Sequence, residues 1–289
     1  DTDPLAEYDY SPPKWLNGEP DMIVQIPEQR IPATGVQDYR NLMLPLELPE
    51  DKWVKAVEFE AGDPTVLHHI IAFSYGPDGV NEFEILNQGI GLGAYAPGNE
   101  LNLYPDDAGY PLKAGGGLML QMHYTTSGKE STDATEVGIY FYDEGVIPEE
   151  RMGGGVGNEF AIAIPAQAKD HEMQFVTTIP QEAEIYSLMP HMHFRGKRMA
   201  FVAKYPDGTE EMILSVPAYS FNWQLAHSLE EPLRVPAGTQ IIATGAFDNS
   251  SQNPFNPDPN AEINWGEQSW EEMFMGFYSW KNVDQGGSE

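Results

Sequence analysis

The feature that most constrains this chain is the form of its apolar runs. From Met22 onward Val, Ile, Phe, Tyr and Met come in short stretches bounded by Gly, Pro, Asn and Asp, with no long amphipathic helical pattern. The pattern predicts an all-β protein. Gly76-Pro77-Asp78-Gly79 and Pro206-Asp207-Gly208 each fall between strand-like runs, and Asp-Gly supplies the positive φ angles of tight hairpins. Residues 1–20 carry Pro4, Pro12, Pro13, Gly18 and Pro20 and read as an extended N-terminal arm. No apolar run reaches the roughly 18 residues of a membrane-spanning helix, so no membrane partner is expected. The chain starts at Asp1, as a mature or excised product does, which leaves any export signal outside it.

Composition narrows the chemistry. The chain has 289 residues and no cysteine, so thiolate zinc sites, cysteine nucleophiles, iron–sulfur clusters and blue-copper centres are excluded. His, Met and carboxylates are left as metal ligands. Forty-five acidic residues against 15 basic ones give a net charge of −30, which repels a phosphate backbone and argues against a nucleic-acid partner. The charge is spread over both halves, as a solvated surface requires.

The two halves share a weak repeat. His68-His69, Pro77-Asp78-Gly79 and Pro111-Leu112-Lys113 recur in order as His191-Met192-His193, Pro206-Asp207-Gly208 and Pro232-Leu233-Arg234. This predicts two tandem antiparallel β-sandwich, jelly-roll-like domains over residues 21–148 and 149–289, with Pro148 and Gly153-Gly154-Gly155 interrupting the strands at the junction.

Five of the seven histidines fall in three clusters: His68-His69, His123, and His191 with His193. On a strand His191 and His193 point to one face, where two imidazoles can hold one metal. Adjacent His68 and His69 diverge on a regular strand, so both reach one ion only through a bulge, a strand end or strong twist. Imidazole suits zinc, copper and iron alike. A thioether selects Cu(I), and Met273 and Met275, on one face of a later strand, are both candidates.

Leu67-His68-His69, Gln121-Met122-His123-Tyr124, Pro190-His191-Met192-His193 and Glu271-Glu272-Met273 occur in an order and spacing that resemble the type II copper, ascorbate-dependent monooxygenases. The likeness is to the catalytic core of the peptidylglycine α-hydroxylating and dopamine β-monooxygenase class, and more closely to its cysteine-free bacterial relatives. It runs from about Met22 to Lys281. The resemblance implies two copper ions: His68, His69 and His123 would hold an electron-transfer copper, and His191, His193 and Met273 an oxygen-activating, catalytic one. It selects Met273 over Met275. It further implies two β domains facing each other across a water-filled cleft, hydroxylation of a substrate C–H bond with O2, and two electrons from ascorbate or another one-electron reductant. Such oxidative copper chemistry favours a periplasmic or secreted setting.

Departures from the family matter too. An Asn and a Tyr that grip a peptide carboxylate in the peptide-hydroxylating members are Met275 and Phe277 here, so a different, more apolar small-molecule substrate is expected. Arg195, Lys197 and Arg198 form a basic cluster that suits either a solvated hairpin edge or an anion or substrate contact. The overall negative charge makes an electron-donor protein or a fused redox domain an alternative to anionic ascorbate. Two other readings stand beside the monooxygenase: a copper-binding or copper-buffering protein without turnover, and a two-domain iron or zinc cupin. Against the cupin, Lys197 occupies the position four after His193 where a Glu is expected. His227 and the Asn/Asp/Pro-rich loop 248–260 receive no role beyond ordinary turn chemistry.

Overall fold

A computed structural model describes residues 13–79 and 91–283, and residues 1–12 of the expected arm lie outside them. In chain order the first-half strands are β1 (Met22–Gln25), β2 (Gln29–Ile31), β3 (Arg40–Pro45), β4 (Lys52–Glu60), β5 (Leu67–Tyr75), β6 (Gly91–Tyr95), β7 (Leu101–Leu103), β8 (Ala108–Leu112), β9 (Gly117–Tyr124), β10 (Ser131–Asp133) and β11 (Glu136–Phe141). The second half holds β12 (Glu150–Asn158), β13 (Ala163–Ile164), β14 (His171–Thr178), β15 (Ala183–Met192), β16 (Gly196–Lys204), β17 (Glu210–Val216), β18 (His227–Val235), β19 (Gln240–Phe247), β20 (Ile263–Asn264) and β21 (Phe274–Asn282). No helix occurs among the described residues, and the fold is all-β.

Both halves use one plan. In the first, β1-β11-β4-β8 faces β3-β9-β5-β6; in the second, β12-β21-β15-β18 faces β14-β19-β16-β17. With the eight main strands of each half numbered in turn, both read 1-8-3-6 over 2-7-4-5. Alternation drives the stacking: Ile70, Ala72, Leu118, Leu120 and Met122 meet Val54, Val57, Phe59 and Ile139 in one apolar core. Met192, Phe201, Ala243, Phe247 and Phe274 form part of the other. A two-residue parallel pairing, Glu150 with Ala108 and Arg151 with Gly109, joins β8 to β12 and makes one long sheet of the two. The other pairs of named strands are antiparallel.

Two details depart from the sequence reading. The Pro-Asp-Gly turns occupy equivalent places, after β5 and after β16, but the histidine pairs do not: His68-His69 sit on β5, whereas His191 lies at the end of β15, whose counterpart is β4. The glycines at 153–155 do not interrupt a strand either. They lie within β12, where the missing side chains make room for Trp280 and Tyr278 of the neighbouring β21.

Residues 13–20 lie against the first half. Trp15 is buried, the backbone N–H groups of Leu16 and Asn17 donate to the buried Glu58 carboxylate, and the Tyr140 hydroxyl stands 2.8 Å from both the Gly18 carbonyl and Glu58 Oε2.

A Cβ at Gly155 would overlap the Tyr278 ring, which is itself buried. Gly155→Ala is therefore expected to destabilise the protein by about 1–3 kcal/mol, the usual cost of overpacking. Urea unfolding checks this, and a change below about 0.5 kcal/mol would show that β12 tolerates side chains there.

Candidate metal centre

The outer face of β5 and β9, turned away from the first core, carries His69, Ile71, Phe73, Met119, Gln121 and His123 by strand alternation. Ile71, Phe73 and Met119 pack with Phe277 of β21 in a small cluster joining the two halves. In the register of β15 and β21, Met189 faces Phe277, His191 faces Met275 and Met192 faces Phe274. Met192 and Phe274 belong to the second core, so Met189, His191, Met275 and Phe277 lie on the opposite face, toward the first half. The pairing ends at Met192 and Phe274, and His193 and Met273 are the next residues beyond it on the two segments. Met273 is buried, Met275 half-buried.

A β-bulge solves the difficulty posed by adjacent histidines. Leu67 pairs with Tyr124 and His69 with His123, which leaves His68 as the extra residue of β5. Both rings thereby reach the same side. Ligand atoms of His68, His69 and His123 all lie within 4.8 Å of one another. The Nδ1 atoms of His68 and His69 are 3.0 Å apart, the spacing of two nitrogens each about 2 Å from a shared ion.

His191 and His193 adjoin this group. Ring centroids are 5.6 Å apart for His69 and His191, and 5.3 Å for His191 and His193. The two ligand sets abut, closer than the open, water-filled cleft implied by the family resemblance. Phe221 stacks on His68 at 4.4 Å and also approaches His123 and His193, at 6.2 and 6.1 Å. On the far side Tyr39 stacks on His123 at 4.5 Å, its buried hydroxyl lacking a hydrogen-bond partner.

Polar neighbours fix some of these rings and leave others unpaired. His191 Nδ1 donates to Gln224 Oε1 at 2.6 Å, which keeps the lone pair on Nε2. Ser269, from the second half, is 3.3 Å from His123 Nε2. Buried Glu272 accepts the backbone N–H groups of His193 and Arg195 at 2.8 and 2.6 Å and so pins the turn after β15. Among the described residues His69 Nε2 and His123 Nδ1 have no hydrogen-bond partner, and the His193 ring meets only the backbone of Gln268 and Glu271. An unpaired buried nitrogen costs on the order of 1–3 kcal/mol, and a bound cation can take up the one lone pair that each neutral imidazole carries. The residues fit a metal.

Arg195 is buried, its Nε donating to Asn249 Oδ1 and a terminal nitrogen to the Trp270 carbonyl. Lys197 pairs with Asp170, and Arg198 with Asp170 and Glu172, on the exposed start of β16. All three are engaged within the protein. His227 is half-buried on β18 opposite Leu188. In loop 248–260, Asp248, Asn253, Asn256 and Asp258 each cap a backbone N–H two residues on, the Asx turns expected of such a sequence. Asn249 opens a glycosylation sequon, yet its side chain is buried and bonded to the carbonyls of Pro165 and Ala261.

Sequence reasoning did not reach Tyr39, Phe221, Gln224 or Ser269. Each belongs to an irregular segment where no spacing rule applies; only the aromatic run Tyr219–Trp223 hints at packing against something.

No family model matches the chain, and no curated protein does. Among solved structures, the infectious bursal disease virus Gx strain aligns over 93% of this chain and 74% of its own, at 7% identity and a TM-score of 0.27. A protein from Eubacterium rectale aligns over 85% and 69%, at 8% identity and a TM-score of 0.25. The VP2 subviral particle of infectious bursal disease virus gives 91% and 72%, 8% identity and 0.25. Likenesses this low bear on neither fold nor activity.

Burial holds all five imidazoles neutral: His68 and His191 are pushed down to about 4 and His123 to about 3, while His69 and His193 fall well below the ordinary 6.5. The unfolded chain therefore binds more protons below pH 6.5, and stability falls as pH drops through that value. Glu272, raised by burial from 4.5 to about 8, has the opposite sign: its contribution is present below 4.5 and lost as pH rises toward 8. Five groups outweigh one between pH 4.5 and 6.5. Protein stripped of metal is expected to need more urea to unfold at pH 6.5 than at pH 4.5. A flat or inverted profile over that interval would mean that the imidazoles are not buried together.

Proposed function

We propose that this protein is a copper-dependent monooxygenase. It inserts one atom of O2 into a substrate C–H bond and releases the other as water, consuming two protons and two electrons from an external one-electron donor. The observation that carries the reading is the bulge at His68, which turns two adjacent histidines and His123 toward one ion.

His68, His69 and His123 would hold one copper, and His191, His193 and Met273 the other. Bound copper supplies one-electron redox chemistry and the activation of dioxygen. The protein's own groups prepare these positions. Gln224 orients His191 and leaves Nε2 as its ligand atom. Glu272 holds the backbone at His193, and the Tyr219 hydroxyl bonds both the N–H and the C=O of Met192, so the end of β15 is fixed on either side. Phe221 and Tyr39 cover the imidazoles and exclude water, which strengthens every charge interaction inside the site. The two sets differ in character: His68, His69 and His123 would offer nitrogen alone, whereas Met273 would add a thioether, which favours the reduced ion. A periplasmic or secreted setting belongs to the same proposal.

Reconstituted protein is expected to bind two equivalents of copper, with His68→Ala and His191→Ala each removing one. Reductant-driven O2 uptake coupled to a hydroxylated product is expected to disappear in both variants. Two stable copper equivalents without any product would assign the chain to copper holding instead, and preference for iron or zinc would overturn the proposal.

A further inference from the structure

A cavity lies between the halves, at the other end of the face that carries His191. Its outer chamber, about 360 Å³, is lined by residues including Leu92, Asn102, Tyr104, Tyr110, Tyr186 and Leu229. An inner chamber of about 110 Å³ is walled by Ile71, Phe73, Ala94, Met189, Phe277 and Tyr278, among others. The chambers share Gly91, Gly93, Asn102, Ser187, Ala226 and Ser279 and so form one continuous space.

Its position and lining are both informative. Met189 precedes His191 by two residues on the same face of β15, about 7 Å along the strand, and the Phe277 ring centroid is 6.2 Å from that of His191. In a chain where 21% of residues are charged, no Asp, Glu, Lys or Arg lines either chamber among the described residues. Asn102 spends its amide on both backbone groups of Ala94. The Ser187–Ser279 pair, whose hydroxyls are 2.7 Å apart, lines both chambers. One proton lies between them, so the pair offers a further O–H and free lone pairs to a ligand. A second β-bulge produces this arrangement: Ile185 pairs with Trp280 and Ser187 with Ser279, leaving Tyr186 as the extra residue.

Building on the monooxygenase reading, we propose that this cavity is the substrate site and takes an uncharged, largely apolar small molecule carrying one hydroxyl, carbonyl or arylamine group for the Ser187–Ser279 pair. An ionised substrate finds no counter-charge among the described lining residues and would lose its hydration unrepaid. A neutral hydrocarbon body gains from the aromatic and aliphatic walls, and its inner end lies one side-chain step from His191.

The test is a fluorescence titration of the metal-free full chain with N-phenyl-1-naphthylamine, and with 1-anilinonaphthalene-8-sulfonate, which adds a sulfonate to the same frame. The neutral probe is expected to saturate at one site per chain and to bind at least tenfold more tightly than the sulfonate. Ala226 lines both chambers and is not part of either core, so Ala226→Trp should abolish binding and Ala226→Val weaken it, with unchanged circular dichroism and copper uptake. Absence of neutral-probe binding, equal binding of the sulfonate, or unaltered binding by folded Ala226→Trp would each overturn the assignment. Because the titration needs no metal, probe binding without copper uptake would sink the oxygenase and keep the cavity, while copper uptake without probe binding would do the reverse.

Discussion

Five imidazoles share one interior, and that burial is the constraint on which the rest of the arrangement depends. Each ring brings polar nitrogens into the interior, and among the described residues His69 Nε2 and His123 Nδ1 find no hydrogen-bond partner. Hydrophobic packing alone does not account for such a cluster, because an unpaired buried polar atom is a net loss. The cost is reduced if a cation takes up the one lone pair of each ring. It also explains why the imidazoles must be neutral, since a ring that holds a proton on both nitrogens offers no lone pair.

The geometry follows from two repeats of one strand plan meeting through unlike faces. In the first half the outward face of the four-stranded sheet supplies His69 and His123; in the second, the outward face of the long sheet supplies His191. This asymmetry would give the two proposed ligand sets different characters although the folds are alike. Bulges then adjust each set locally: one at His68 in β5 gathers three histidines, and one at Tyr186 in β15 opens a polar pair onto the adjoining cavity. The apolar cluster of Ile71, Phe73, Met119 and Phe277 lies between these two features and ties the halves together.

How much of this could be read from residues alone depends on how local each signal is. Turn chemistry and short apolar runs disclose an all-β chain, because hairpins and strand alternation are decided within a few residues. The face shared by His191 and His193 follows from strand periodicity in the same way. That His68 needs a bulge is likewise legible, but whether one forms depends on the pairing with β9, about 50 residues away in sequence. The repeat is visible through its Pro-Asp-Gly turns, yet matching the histidine pairs to each other misleads, because a functional site places its ligands where the faces meet and not where the repeat unit recurs. Gly153-Gly154-Gly155 reads as a break when taken locally and serves instead to admit Trp280 and Tyr278 from the neighbouring strand. Tyr39, Phe221 and Gln224 act through contacts across the molecule, and of their segments only the aromatic run Tyr219–Trp223 hints at them.

The central claim is that two unlike sets of side chains, one all imidazole and one with a thioether, converge from the two halves to hold separate copper ions. Diffraction from copper-soaked crystals at wavelengths above and below the copper absorption edge tests it most directly. The account predicts two anomalous peaks, one within bonding distance of His68, His69 and His123 and the other of His191, His193 and Met273. A single peak shared by all five rings, or copper bound only among the surface carboxylates, would contradict it.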